Sequence, residues 1–232
     1  MPGLDTGRIS SRGRLRRHLK APGLQVLDIE ADRWAWDLQA QRWYRPGVSF
    51  RRLLALVETD GLGIAVIDLT RIRGGEQHWR ICRGCGETFV TAGALATARE
   101  GTLAGSPIAR GALEDLPHPD YSGLAYMVEV ETPSAVPDWR GSWPLDPSAD
   151  VHLDLHQLAF SGGEVFTARA TATMGHPAES NYAFRPVAWH SMGEETTAVD
   201  LVFEPRIGEP SLQSAQSIAG TDSAAGVTLI TA

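Results

Sequence analysis

The sequence predicts an all-β fold, specifically an antiparallel β-sandwich. Two observations predict it: apolar and polar residues alternate with a period of two along much of the chain, and glycine-rich turns separate the alternating runs. Along residues 151–155, three apolar residues share one face, while His152 and Asp154 share the other. This alternation is typical of an antiparallel strand with one buried face.

Eight segments show this pattern and are predicted to be strands. In chain order they are 24–31, 50–58, 63–72, 87–93, 125–131, 151–160, 164–173 and 197–205. Gly74 and Gly75 follow the third strand and predict a tight turn there. The sequence SGGE at 161–164 predicts a β-hairpin between the sixth and seventh strands.

Other segments fit the strand pattern less well. Alanines in 90–100 favour a helix, although a glycine and two threonines oppose it. The four prolines in 133–148 favour a packed loop. Residues 1–23 are rich in basic groups, and we expect them to be poorly ordered. A single sandwich domain is predicted over 24–232, and we expect it to be truncated at its C-terminus because the chain stops within an apolar run.

Composition and charge argue against several classes of protein. The formal net charge is -7, so the chain as a whole is not built to bind nucleic acid or anionic lipid. No stretch approaches the roughly 20 apolar residues of a membrane span. The basic N-terminal residues are not followed by the apolar region of a secretory signal peptide. We therefore expect no nucleic-acid partner and no membrane partner, and the localisation stays open.

Residues 71–85, RIRGGEQHWRICRGC, bring together a histidine, arginines, a glycine pair and two cysteines. His78, Cys82 and Cys85 offer the nitrogen and sulfur ligands that zinc prefers. A structural zinc site needs a fourth ligand, and the sequence has no second cysteine pair. The alternative is an ordinary turn between strands in which the cysteines are incidental.

Two further groups of residues are candidates for a site. His152, Asp154 and His156 would point to one face of a strand and are candidate metal ligands, unless they form the polar face of an exposed strand. Among seven tryptophans, Trp79 is the one that we expect near a ligand, because it adjoins His78. Exposed indole rings stack on sugar rings, whereas a buried indole ring only packs in a core.

Residues 43–92 resemble the sheet domain of the heparinase II/III-like family of polysaccharide lyases. The similarity runs through YRPGVSFRRLLALVE and AVIDLTRIRGGEQHWRICRG. It continues in the same order through GTLAG at 101–105, YMVEVETPSAVPDWRGSW at 126–143 and TTAVDLVFEP at 196–205. The resemblance therefore covers most of residues 24–210.

The resemblance implies a β-sandwich of the polysaccharide-lyase sheet-domain type, which in the family follows an N-terminal α/α toroid. That helical toroid domain is missing from this chain. The family's enzymes cleave acidic polysaccharides such as heparin, heparan sulfate or alginate by β-elimination. A base removes the proton next to the uronate carboxyl group, and an acid protonates the departing oxygen. No cofactor is required, although several members bind zinc. Full-length relatives are expected to be periplasmic or extracellular.

The resemblance also assigns roles to individual residues. His78 matches the family histidine after the Gly-Gly turn, and it would neutralise the uronate or assist proton transfer. Trp79, Arg80 and Arg83 are candidates for substrate binding, the arginines as partners of sulfate or carboxylate. Many members have a second histidine where this chain has Arg83.

The sequence thus predicts the C-terminal domain of a polysaccharide lyase, inactive without its helical domain. The alternative is a carbohydrate-binding or structural β-sandwich without catalytic activity. A small zinc protein that uses Cys82 and Cys85 is a third hypothesis.

Overall fold

The fold is an antiparallel β-sandwich, as the sequence predicts. The computed structural model describes residues 4–37, 41–44, 47–59, 63–92, 96–117, 121–133, 139–172, 182–193, 196–218 and 226–231. Strands dominate these residues, and a short 3₁₀ helix spans Leu124–Tyr126. Among the described residues, none of the helices is long and apolar enough to cross a membrane.

The strands form two large sheets and one hairpin. In chain order they are β1 (Leu4–Ala21), β2 (Leu24–Asp37), β3 (Arg42–Tyr44), β4 (Ser49–Thr59), β5 (Gly63–Arg73), β6 (Gln77–Cys82), β7 (Val90–Ala92), β8 (Ala96–Arg99), β9 (Val128–Pro133), β10 (Arg140–Asp146), β11 (Val151–Phe160), β12 (Glu164–Ala172), β13 (Tyr182–Phe184), β14 (Val187–Met192), β15 (Thr197–Ile207), β16 (Leu212–Ile218) and β17 (Gly226–Thr231). The first sheet has nine strands in the order β1-β2-β4-β5-β15-β11-β10-β7, with β3 beside β2. The second sheet has six in the order β6-β14-β12-β9-β8, with β13 beside β12. The strands β16 and β17 pair with each other.

The two sheets pack face to face around a core of large apolar side chains. Leu155 and Leu201 of the first sheet and Trp189 of the second are fully buried and belong to one cluster. Gln157 is buried in the same region, and its side-chain oxygen accepts hydrogen bonds from the indole N–H groups of Trp139 and Trp189, at 2.9 and 2.6 Å. The Gln157 oxygen and the two indole N–H groups are therefore all hydrogen-bonded inside the core.

A buried carboxylate connects the two sheets. Asp68 on β5 is fully buried and accepts two hydrogen bonds from Arg52 on β4, at 2.9 and 2.7 Å. Arg80 on β6 of the second sheet donates to the same carboxylate at 2.7 Å. Burial alone would raise the pKa of Asp68, but the hydrogen bonds and charges of Arg52 and Arg80 outweigh it, so that the pKa lies below its ordinary value.

The predicted hairpin at SGGE is wrong. The strands on either side of it, β11 and β12, belong to different sheets, because β11 pairs with β10 and β15 whereas β12 pairs with β9, β13 and β14. The turn therefore carries the chain across the sandwich instead of joining neighbouring strands. Alternation marks both strands correctly, but it does not determine to which sheet a strand belongs.

Three other segments also differ from their predictions. Residues 4–21, expected to be poorly ordered, form β1, and Arg14 and Arg16 of this strand both bind Glu30 of β2. The proline-rich segment 133–148 contains β10, a strand inserted between β11 and β7. Within 90–100 the described residues form β7 and β8 and no helix, and residues 93–95 lie outside the described residues.

We predict that Asp68→Asn destabilises the protein. The amide preserves the shape of the side chain but removes the charge that Arg52 and Arg80 share, and breaking a buried ion pair costs about 3–5 kcal/mol. Urea unfolding followed by tryptophan fluorescence measures the change. Asp115→Asn, at an exposed loop position, is the control and should change the free energy of unfolding by less than about 0.5 kcal/mol. Equal effects of the two substitutions would contradict the bridging role of Asp68.

The contribution of Asp68 is also expected to depend on pH. The pKa of this carboxyl group is lower in the folded protein than its ordinary value of 3.8. Its stabilising effect is therefore fully present above pH 3.8 and is lost as the pH falls through the lower folded-state pKa. The difference in unfolding free energy between wild type and Asp68→Asn should shrink across that acidic range. A difference that stays constant there would contradict the prediction.

Candidate functional site

Three connections between the two sheets lie at the same end of the sandwich. They are the Gly-Gly turn from β5 to β6, the glycine turn from β11 to β12, and the connection from β14 to β15. The backbone N–H of Gly193, which follows β14, donates to the carbonyl of Glu76, which precedes β6, at 2.9 Å. Side chains at the strand ends therefore gather between these connections.

The Gly-Gly turn requires its glycines. Gly74 and Gly75 have φ values of 75° and 92°, in the left-handed region that other residues rarely adopt. A Cβ atom on Gly74 would lie 2.5 Å from the carbonyl oxygen of Gly47, so the two backbone segments approach each other too closely for any side chain. The predicted tight turn after the third strand is confirmed, and it delivers the chain directly into β6.

His78, the second residue of β6, is buried and bonded on both sides of its ring. Its Nε2 lies 2.7 Å from the carbonyl oxygen of Gly74, and its Nδ1 lies 2.6 Å from the hydroxyl oxygen of Thr197. Because a carbonyl can only accept, Nε2 carries a proton and donates it to Gly74. The hydroxyl of Ser191 also bonds to Thr197, at 2.5 Å, so a chain of hydrogen bonds connects β14, β15 and the Gly-Gly turn.

The opposite face of β6 carries an aromatic and polar cluster. The Trp79 ring stacks on His190 of β14, with ring centroids 4.0 Å apart and an angle of 13° between the planes, and it meets Tyr121 edge-on. The hydroxyl of Tyr121 donates to the side-chain oxygen of Gln77, and His190 Nε2 lies 3.1 Å from the same oxygen. Burial lowers the pKa of His190 below its ordinary value, so its ring is uncharged at neutral pH.

Both faces of β6 border an open groove of about 530 Å³, which we call the Gly-Gly groove. Its polar and aromatic lining consists of Arg33, Glu76, Gln77, His78, Trp79 and Tyr121. Aliphatic walls come from Val48, Ile72, Ile81 and Leu124. The indole Nε1 of Trp79 is buried and has no hydrogen-bond partner among the residues that the structure describes. A concave, mainly apolar surface with a few polar groups and a volume of this size is typical of a small-ligand or sugar site.

Two predicted substrate-binding residues lie outside this groove. Arg80 faces the first sheet, where it binds Asp68, because successive residues of a strand point to opposite faces. Arg83 follows the far end of β6, and its guanidinium group lies 4.7 Å from the centre of the Phe184 ring. Of the four residues that the sequence predicts for catalysis and substrate binding, the structure thus places His78 and Trp79 together in the groove lining.

The candidate metal ligands do not fit a shared ion. His152 contacts Asp150 and Ser142, and Asp154 is bound by Ser142 and Arg206 at 2.5 and 2.6 Å. Neither ring nitrogen of His156 has a hydrogen-bond partner within the described ranges, and its Nε2 lies 3.5 Å from Glu204. In the described part of the chain, no group of three or more His, Cys, Asp or Glu residues is arranged to hold a metal.

The distance between His78 and Cys82 argues against a zinc site formed by His78, Cys82 and Cys85. His78 and Cys82 stand at opposite ends of the exposed-edge strand β6, four residues apart, which corresponds to roughly 13 Å along a strand. Zinc ligands lie within about 2.3 Å of the metal. Cys82 and Cys85 are free thiols, and burial raises the pKa of both.

The sequence did not indicate three residues that complete the cluster. Gln77 adjoins the predicted His78, but Tyr121 and His190 lie 44 and 113 residues from Gln77 along the chain. Local alternation carries no information on such distant contacts. The pairing of β14 with β6, which sets His190 opposite Trp79, brings His190 into the cluster.

Comparisons with known proteins give structural similarities alone. No protein-family model matches the chain, and no curated protein matches its sequence. Among solved structures, 95% of the chain aligns with the crystal structure of heparan sulfate lyase HepC from Pedobacter heparinus, at 8% identity and a TM-score of 0.48. It aligns to the same extent with heparinase III, at 11% identity and a TM-score of 0.46, and with a HepC mutant, at 7% identity and 0.47. The chain spans 27–28% of the length of these proteins.

We predict that Thr197→Val destabilises the protein and frees the His78 ring. The substitution removes the hydroxyl that bonds to both His78 and Ser191, and leaving buried polar groups unpaired costs about 1–3 kcal/mol. Chemical unfolding measures the cost, and nitrogen NMR of the His78 ring reports the lost bond at Nδ1. Thr102→Val is a matched control, because the buried Thr102 hydroxyl has no hydrogen-bond partner in the described part of the chain. Equal losses of unfolding free energy in the two variants would contradict this role of Thr197.

Proposed function

We propose that this chain is the sheet domain of a polysaccharide lyase and that its Gly-Gly groove binds an acidic sugar of the polysaccharide. The observation that carries the proposal is the groove itself, in which Arg33, Trp79 and Tyr121 surround a concave surface at the strand ends. The resemblance of residues 43–92 to the heparinase II/III-like sheet domain supports the same assignment.

The groove offers the contacts that a uronic acid needs. Arg33 supplies a cation for the carboxylate, and the hydroxyl of Tyr121 and the amide of Gln77 supply polar contacts for ring hydroxyls. The aliphatic walls suit the C–H faces of the sugar ring. One face of Trp79 is covered by His190 and its Nε1 is buried, so this tryptophan contributes the part of its ring edge that lines the groove instead of a stacking face.

The geometry around His78 favours positioning over direct proton transfer. Both ring nitrogens are bonded inside the protein, and a base or an acid needs a nitrogen within reach of the substrate. In the proposal, His78 fixes the Gly-Gly turn and the groove wall. The groups that abstract and return the proton then come from a helical domain outside this chain, so the chain binds its substrate but does not cleave it by itself.

A second candidate function is carbohydrate binding without any catalysis. The engagement of both His78 nitrogens favours it, because His78 then has no free nitrogen with which to accept a proton from a sugar. The two functions differ in whether restoring a helical domain creates activity.

The first test of the proposal concerns the charges of the groove. Removing the cation with Arg33→Gln should weaken binding of a uronate oligosaccharide about tenfold, since a charge-assisted hydrogen bond contributes about 1.5–3 kcal/mol. Removing the exposed anion with Glu76→Gln should strengthen it. Isothermal titration calorimetry measures both, and a neutral oligosaccharide of equal length is the control. Changes of the same sign in both variants, or no change, would argue against an acidic sugar in the groove.

The second test concerns catalysis. The ultraviolet absorbance of an unsaturated uronate product is followed with heparin, heparan sulfate and alginate. We expect no product from the chain alone and product after fusion to a helical domain of a heparinase-type lyase. His78→Ala in the fusion should reduce turnover, because the groove wall loses its support. Binding without product in the fusion would select the non-catalytic function.

A further inference from the structure

One face of the first sheet extends beyond the second sheet. The edge strand β6 of the second sheet lies over β5, because Arg80 of β6 donates to Asp68 of β5 at 2.7 Å. From β6 the second sheet runs towards β11, since Trp189 of β14 packs with Leu155 of β11. The first sheet continues in the opposite direction through β4, β2 and β1. Among the described residues, the second sheet therefore leaves one face of these three strands uncovered.

The side chains on this uncovered face are mainly apolar. Strand alternation places them on the same face as Asp68, which is directly opposite Leu54. Leu54 is in turn opposite Leu27, and Leu15 is opposite Ile29. We call this surface the apolar shelf, and it consists of Leu15, Leu27, Ile29, Leu54, Leu56 and Ile64. None of the six belongs to a buried cluster within the described ranges, and Leu15, Ile64 and Leu27 are 60%, 42% and 38% exposed.

The shelf is large enough to be an interface. It extends over four strands and four rows of side chains, which corresponds to roughly 15 Å by 20 Å. A contiguous exposed apolar surface of this kind marks a site of interaction with another macromolecule. An interface of this modest size is typical of a reversible complex rather than a permanent one.

The open edge of β1 is not suited to pairing with a second copy of the chain. The exposed basic residues Arg14, Arg16, Arg17 and Lys20 lie along this edge strand. Antiparallel pairing of two β1 strands would place these cations beside the same cations of the other copy, and like charges directly opposite each other destabilise a sheet. Two copies can therefore associate through the shelf, but not through the edge.

The charges at the border of the shelf are complementary to those of a second copy. Lys20, Gln25 and Leu56 form one row across β1, β2 and β4, and Glu58 lies two residues beyond Leu56. Lys20 and Glu58 are both exposed. A two-fold axis along β2 would place β1 of one copy over β4 of the other. Lys20 would then lie one row, or about 7 Å, from Glu58 of the second copy, within reach of a lysine side chain.

We propose that the apolar shelf is a dimer interface, in which two copies of this chain pack shelf to shelf and Lys20 of each copy pairs with Glu58 of the other. The inference goes beyond the proposed function and does not depend on it, because no sugar takes part in the interface.

The first test measures the association of the 232-residue chain by sedimentation velocity. The wild type should convert from monomer to dimer with a Kd on the order of micromolar, as expected for a small interface. Leu27→Glu should raise this Kd at least about a hundredfold, because it places a carboxylate in the apolar contact. Leu145→Glu is the matched control, since Leu145 on β10 is 43% exposed and lies far from the shelf in the first sheet. Thermal unfolding confirms that each variant is folded.

The second test exchanges the charges at the border. Lys20→Glu should raise the Kd about tenfold, because it places two carboxylates near each other, and adding Glu58→Lys to this variant should restore the Kd of the wild type. A wild-type chain that stays a monomer at every concentration would overturn the proposal. Equal effects of Leu27→Glu and Leu145→Glu would overturn the shelf as the interface, and a double variant without rescue would overturn the pairing of Lys20 with Glu58.

Discussion

The ion-paired carboxylate of Asp68 sets how the two sheets meet. It is buried between them and is shared by Arg52 of the first sheet and Arg80 of the second. A buried charge is tolerated only with such partners, so Arg80 must face the first sheet. The alternation of β6 then turns His78 to the same side, where it meets Thr197, and turns Gln77 and Trp79 to the other side. The position of each site residue on β6 thus follows from one ion-pair network.

The end of the sandwich becomes a binding region because the chain crosses between sheets there. Strand-to-strand hairpins would keep each sheet end separate, whereas the turns after β5 and β11 span the gap between the sheets. Each crossing needs close backbone approach, and glycines at positions 74 and 163 permit it. The Gly-Gly groove lies beside the first of these crossings.

Sequence reasoning recovered the strands with clear alternation and missed those whose polar residues are buried. All eight predicted strand segments overlap observed strands. The strand β6 was not predicted, because the side chains on its inward face include the polar residues His78 and Arg80. These side chains are buried only because Thr197 and Asp68 bind them, so the sequence shows no apolar face there. The strand β1 was missed for a similar reason: its stability comes from pairing with β2 rather than from an apolar face. Contacts between distant residues determine to which sheet each strand belongs. They therefore also determine that the SGGE turn connects two sheets instead of two neighbouring strands.

The candidate site was predictable in part. The glycine pair and the residues that follow it directed attention to His78 and Trp79, both of which line the Gly-Gly groove. The burial of both His78 nitrogens could not be foreseen, since Thr197 lies 119 residues further along the chain. Arg80 and Arg83 share the basic character that a polyanion site needs. The Arg80 side chain points to the first sheet and Arg83 follows the far end of β6, so neither lines the groove.

The most direct test of the central claim follows the indole N–H signals of the tryptophans by NMR while a uronate oligosaccharide is added. The Trp79 ring lines the groove, so its N–H signal reports on that surface, whereas the N–H groups of Trp139, Trp143 and Trp189 are hydrogen-bonded in the core. Trp79→Phe assigns the Trp79 signal. A saturable shift of this signal, with the three core signals unchanged, is the result that an acidic sugar in the Gly-Gly groove predicts. An unchanged Trp79 signal at saturating oligosaccharide would contradict it.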